Sequence, residues 1–163
     1  MQFNTSYASS NYNDRPCDIT HIVLHYTDLP TAADSIAILC DRYRQVSAHY
    51  LIDYDGSIYR LVPDEKRAWH AGVSTWQGRD NVNDYSIGIE IQNKGTLVTP
   101  AEPYTIEQMN ALVKLLQHLT MSHDIKPHNI IGHSDIAPGR KIDPGEQFDW
   151  QWLKEKGFGK CLI

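Results

Sequence analysis

The stretch Ile19-Thr-His-Ile-Val-Leu-His-Tyr26 narrows the fold more than any other part of the chain. Its β-branched and aliphatic residues run nearly unbroken, which marks a strand covered on both faces rather than one with a wet side. Such a strand needs layers above and below it, so the rest of the chain has to supply helices with apolar stripes. Thr31 is placed to cap one, over about Ala32 to Arg44, with Ile36, Leu39, Cys40 and Tyr43 on one side. Thr105-Ile-Glu-Gln108 reads as a capping box that opens a second, to about Ser122, striped by Ile106, Met109, Leu112, Val113, Leu116 and Leu119. Asp55-Gly56 between the apolar runs Ala48–Asp53 and Ser57–Val62 signals a hairpin. Tyr85–Ile91 alternates, with Ile87, Ile89 and Ile91 on one face and Gly88 and Glu90 on the other. Ile130-Ile131 forms a short strand that runs into His133, and Phe148–Lys154 a short closing helix. This order of elements predicts an α/β (α+β) fold, a central mixed sheet flanked by helices. With 163 residues and no repeat or linker, residues 1–163 are expected to form a single domain.

Two segments lack periodicity. Residues 1–18 read as a polar, irregular lead-in. Residues 63–84 hold no clear element but contain Trp69, His70, Gly72, Trp76 and Arg79. A loop that long inside a compact domain is functional or disordered, and its two tryptophans favour function.

Composition excludes several classes. A net charge of −5 argues against a nucleic-acid binder, which presents a basic face. No apolar run approaches a membrane span. The first residues, Met-Gln-Phe-Asn-Thr-Ser-Tyr, have neither the basic nor the apolar region of a signal peptide, so the expectation is a cytoplasmic protein, with a periplasmic enzyme or outer-membrane lipoprotein as the alternative. Cys17, Cys40 and Cys161 are odd in number and lack C-x-x-C spacing, which fits unpaired thiols in a reducing compartment.

Chemistry concentrates in Gly132-His-Ser-Asp-Ile-Ala-Pro-Gly-Arg-Lys-Ile-Asp-Pro-Gly145. Histidine and carboxylate ligate zinc, a lysine holds developing negative charge, and glycine and proline stiffen the backbone that carries them. His25 and His133 both fall at the carboxyl end of an expected strand, where ligand sites of such sheets gather. Of the eight histidines, His21, His118, His123 and His128 read as structural or solvent-facing. For His25, His133 and Asp143 the residues alone leave two readings open, a metal site or hydrogen-bonded polar side chains. Glu90 beside Gly88 reads either as a carboxylate over an open floor or as a solvent-facing residue of a half-exposed strand. Lys141 is a charge for the site or a solvated surface lysine. Trp69-His70-Ala71-Gly72 is an aromatic wall for a sugar or peptide, or packing around an indole.

Together these pieces resemble the zinc-dependent N-acetylmuramoyl-L-alanine amidases of the amidase-2 family, which share their fold with peptidoglycan recognition proteins and phage amidases. The resemblance rests on His21–Tyr26, Val46–Ile52, Arg67–Gly72, Asn83–Glu90 and Gly132–Gly145, five motifs in the family's order within a core of about residues 16–153. It implies His25, His133 and Asp143 as ligands of a Zn2+ cofactor, Glu90 as the catalytic glutamate, and Lys141 as the lysine beside the substrate carbonyl. It implies peptidoglycan fragments or muropeptides as substrate, contacted by Tyr26, Tyr50, Trp69, His70, Trp76 and Arg79, the last through a substrate carboxylate. The segment Pro63–Arg79 looks like the branch that recycles 1,6-anhydromuropeptides, whereas Tyr26 looks more like the exported branch. A non-catalytic peptidoglycan-binding module is the alternative function.

Overall fold

The computed structural model describes residues 1–160. A three-residue strand, β1 (Tyr12–Asp14), precedes the expected central strand β2 (His21–Tyr26). Helix α1 (Ala32–Cys40) follows, then β3 (Tyr50–Ile52) and β4 (Ile58–Arg60). Three short strands come next: β5 (Lys66–Ala68), β6 (Thr75–Trp76) and β7 (Arg79–Asp80). The chain continues through β8 (Ser86–Ile91), the long helix α2 (Ile106–His123), β9 (Ile130–Gly132), the single-turn α3 (His133–Ile136) and α4 (Trp150–Glu155).

The main sheet has the order β4-β3-β8-β2-β9. β2 runs parallel to β8 and β9, and β3 parallel to β8, while the β3–β4 hairpin is antiparallel. The mixed sheet flanked by helices is therefore as expected. One face packs on α2 and α4. Ile22, Leu24, Ile87, Ile89, Ile91 and Ile130 meet Leu112, Leu115, Leu116, Leu119 and Leu153 there in one continuous core. On the other face α1 covers Leu51 through Ile36 and Leu39, and α3 covers Val23 and Ile131 through Ile136.

The caps are as the sequence predicts. The Thr31 side chain accepts from the Asp34 amide, and Thr105 and Gln108 form a reciprocal capping box. α1 stops at Cys40, one turn before the expected Arg44, because Asp41 takes an extended backbone and its carboxylate accepts the Tyr43 amide at 2.9 Å, a local bond that competes with the helix. Tyr43 is consequently 79% exposed rather than part of the apolar stripe, and Ile106 at the first turn of α2 also points outward.

The lead-in and the long loop are more ordered than their sequences imply. β1 pairs antiparallel with β5, and β6 with β7. Two- and three-residue polar strands are too short for an alternation to register. Cys17 and Cys40 are free thiols, and Cys161 lies outside the described residues. No helix among the described residues is long and apolar enough to cross a membrane.

Candidate metal centre and cleft

Parallel pairing places the site. β2 and β8 run in register with His25 opposite Glu90, and Leu24 of β2 lies opposite Gly132 of β9. His133 is the next residue after β9, so it arrives at the level of His25 at the carboxyl ends of the strands. Asp143 reaches the same point from the stiff loop, which is tied back by Ser134 N–H to Asp143 O at 2.9 Å and Lys141 N–H to Ala137 O at 3.0 Å. The Gly132 amide is held by Asp135 Oδ2 at 2.8 Å, which sets the turn that aims His133 inward.

His25 Nδ1, His133 Nδ1 and Asp143 Oδ2 converge. The two nitrogens are 3.0 Å apart, and the carboxylate oxygen is 2.9 Å from one and 3.1 Å from the other. All three residues are buried and form a group able to hold a metal ion. His133 Nε2 lies 3.0 Å from Ala71 O. A carbonyl only accepts, so Nε2 carries a proton and donates it, which leaves Nδ1 as the nitrogen that faces the trio. Burial pushes His25 down to about 4, so its imidazole is neutral, the form that binds metal.

The site faces a cleft of about 480 Å³. Tyr26, Trp69, His70, Glu90 and Lys141 line it together with the metal-ligand trio. Glu90 Oε2 is buried without a hydrogen-bond partner. Burial, and then the nearby Asp143 charge, raise its carboxyl well above the usual range, with Lys141 opposing them. The Glu90 carboxyl is thus a titratable group with an unpartnered buried oxygen, in the wall of the cleft that the trio also lines. Lys141 is exposed at the rim. The Tyr26 ring is wedged between Gly95 and Gly145, where added methyl groups would meet it, and burial lifts its phenol to about 12.

Three of the remaining candidates are elsewhere. Tyr50 points to the α2 face, buried in the continuous core, and its hydroxyl donates to Asp64 Oδ1 at 2.6 Å. Its position in an apolar run does not reveal its face; pairing with β8 does, because its neighbour Leu51 lies opposite Glu90. Trp76 packs against the buried cluster that includes Val82, Tyr85 and Ile136. Arg79 stacks its guanidinium 3.8 Å from the Tyr85 ring centroid and donates to Cys17 Sγ at 3.0 Å. None of these three side chains lines the cleft. His70 does line it, but its ring is also bonded to His25. Gly88 is no open floor, because a methyl group there would collide with the ring carbons of His70.

Three supporting residues were not singled out in the sequence. Asn83 Oδ1 accepts from both the His70 and Ala71 amides, at 3.1 and 2.8 Å. Arg140 donates to Ala71 O at 2.8 Å and to Val73 O at 2.6 Å. His49 Nδ1 accepts from the Gly88 amide at 2.9 Å. All three lie inside the matching motifs, but their contacts are long-range and leave no local spacing signal.

Residues 13–146 match the family Amidase_2, N-acetylmuramoyl-L-alanine amidase. The N-acetylmuramoyl-L-alanine amidase AmiD of Escherichia coli K12 is 42% identical over 149 residues, covering 85% of this chain and 53% of that protein. The 1,6-anhydro-N-acetylmuramyl-L-alanine amidase AmpD of Enterobacter cloacae is 50% identical over 105 residues, covering 64% of this chain and 54% of that protein. The structure of E. coli AmiD in complex with the substrate anhydro-N-acetylmuramic acid-L-Ala-D-gamma-Glu-L-Lys has a TM-score of 0.80 at 39% identity, covering 90% of this chain and 61% of that chain. The chain spans about half the length of the curated relatives it matches.

Proposed function

From the premise that this chain belongs to the N-acetylmuramoyl-L-alanine amidase family, we propose that it is a zinc hydrolase. Its bond is the amide between the lactyl group of N-acetylmuramic acid and the L-alanine of the peptidoglycan stem peptide, with soluble 1,6-anhydromuropeptides as the preferred substrates. The observation that carries the reading is the convergence of His25 Nδ1, His133 Nδ1 and Asp143 Oδ2 within 3.1 Å of one another beneath a cleft. Ligand atoms about 2.0–2.1 Å from a tetrahedral zinc ion stand about 3.3 Å apart, so the trio needs only a slight expansion to fit it. Two imidazoles and one carboxylate are a donor set that zinc accepts, and three protein ligands leave a fourth position open for chemistry. When bound there, zinc supplies a water acidic enough to act at neutral pH and a Lewis acid for the scissile carbonyl.

The chain's own residues do the rest. Glu90 takes the proton of the attacking water and returns it to the departing amine; its raised affinity for protons brings it toward the working pH of a general acid–base. Lys141 at the rim neutralises the charge that develops on the carbonyl oxygen, a contact of the kind worth on the order of 3 kcal/mol. Tyr26 and Trp69 wall the cleft and orient the sugar and peptide. A binding module without turnover needs neither an unpartnered buried carboxyl nor a complete ligand set.

The test is release of stem peptide from a soluble anhydromuropeptide. Release that stops with a chelator and returns with added zinc is the expected result. Undiminished release in chelator, or none with zinc, overturns the proposal. Parallel digestion of intact sacculi is expected to be slower; an equal rate would remove the preference for soluble fragments.

A further inference from the structure

The two imidazoles of the trio are braced differently. His133 leans on a backbone carbonyl, but His25 Nε2 lies 3.0 Å from Nδ1 of His70. Which nitrogen of that pair holds the proton follows from the far end of the chain of contacts. Ser86 Oγ is 2.7 Å from Val82 O, which can only accept, so the single hydroxyl proton points there. Ser86 Oγ therefore meets His70 Nε2, at 3.2 Å, as an acceptor, and Nε2 carries the His70 proton. His70 Nδ1 is then bare and accepts from His25 Nε2–H. That leaves His25 Nδ1, like His133 Nδ1, with its lone pair turned toward Asp143.

We propose that His70 is a positioning residue that locks His25 in its metal-binding tautomer, through the one-way chain His25 to His70 to Ser86 to the Val82 carbonyl. The neighbouring structure is shaped for this ring. Gly88 leaves room for the imidazole against the sheet. Asn83 clamps the backbone amides of His70 and Ala71 together, so one segment sets the partners of both metal-facing histidines. Ligand histidines are commonly oriented by a carboxylate, carbonyl or water. A neutral imidazole in that place orients the ring without adding a second negative charge beside Asp143.

The inference rests on the zinc site proposed above, and its test separates the two. Wild type, His70→Leu, His70→Asn and Ser86→Ala are stripped of metal and titrated with zinc in competition with a chromophoric chelator. Leucine occupies the ring's space without an acceptor, whereas the asparagine amide oxygen falls near the place of Nδ1. The expected result is a loss of zinc affinity of about 10–100-fold for His70→Leu, with most of it recovered in His70→Asn. Ser86→Ala, which keeps the ring, is expected to lose less than His70→Leu. The cobalt(II)-loaded absorption spectrum is expected to shift in His70→Leu and to return toward wild type in His70→Asn. Thermal melting of the metal-free forms monitors folding, and if His70→Leu does not fold, the comparison of His70→Asn and Ser86→Ala with wild type decides: equal affinity in wild type and Ser86→Ala then overturns the assignment. A His70→Leu that binds zinc as tightly as wild type overturns it, as does a His70→Asn no better than His70→Leu. A wild type that takes up no zinc overturns the metal site itself, and this role with it.

Discussion

The two faces of the five-stranded sheet come from the same strands and have opposite contents. Under α2 and α4, Ile22, Leu24, Ile87, Ile89 and Ile91 form an unbroken apolar layer with the leucines of the long helix. On the opposite face the apolar packing splits into one cluster beneath α1 and another beside α3. Between them are His25, His49, His70 and Glu90, with Gly88 as the place where an imidazole lies against the backbone. Area removed from water stabilises the first face at roughly 25 cal/mol per Å² of apolar surface. The second face contains buried polar groups, each of which costs stability unless it is hydrogen-bonded or bound to an ion. One face holds the fold together, and the other spends part of that stability on a site.

That division can be broken by substitution. The largest effect is expected from His133→Ala, which removes a ligand: turnover of a muropeptide falls to background, and elemental analysis finds no stoichiometric zinc. Full metal occupancy in that variant would refute the assignment. Glu90→Gln is expected to lower kcat/KM by about 10²–10⁴-fold while zinc content stays at the wild-type level. Near-normal rates would remove Glu90 from the chemistry.

The same variant has a pH signature in the chelated protein. The native state holds the Glu90 proton at pH values where the unfolded chain has already released it, near the ordinary value of 4.5. The native state thus binds more protons, and stability falls as pH rises from there through the raised native value. Denaturant melts of Glu90→Gln against pH are expected to lack that slope.

On the opposite face, Leu116→Ala is expected to cost about 2–5 kcal/mol in denaturant unfolding, because Leu116 is fully buried, yet to leave zinc affinity unchanged. Zinc affinity that fell in step with stability would show the faces to be coupled. The smallest effect is assigned to Tyr50→Phe. Losing its bond to Asp64 is expected to cost on the order of 1.5 kcal/mol in stability, with KM for muropeptide unchanged because the ring faces α2. A raised KM would place Tyr50 back in substrate binding.

Legibility in the sequence followed periodicity. β2, β8, α2 and the capping residues were readable because each repeats a signal over six or more residues or carries a side-chain motif at fixed spacing. β1, β5, β6 and β7 were not, because two or three polar residues make no pattern, and their order comes from pairing with distant segments. Among the site candidates, His25, His133, Asp143, Glu90 and Lys141 do gather at one cleft. Trp76 and Arg79, in the loop without periodicity, pack on the cluster that includes Tyr85, a contact that no spacing in the sequence announces.

What the chain determined by itself was local: which residues alternate, where helices begin, and which polar side chains interrupt apolar runs. Backbone geometry imposes those periods at short range, so they can be read along the line. Tertiary structure decided which nitrogens meet. His25 and His133 are 108 residues apart, and the parallel register of β2 with β8 and β9, a long-range pairing, brings them and Glu90 to the same strand ends. The protonation pattern of the site was decided there too, since it runs through Ser86 and the Val82 carbonyl, partners that no spacing in the sequence connects to His25.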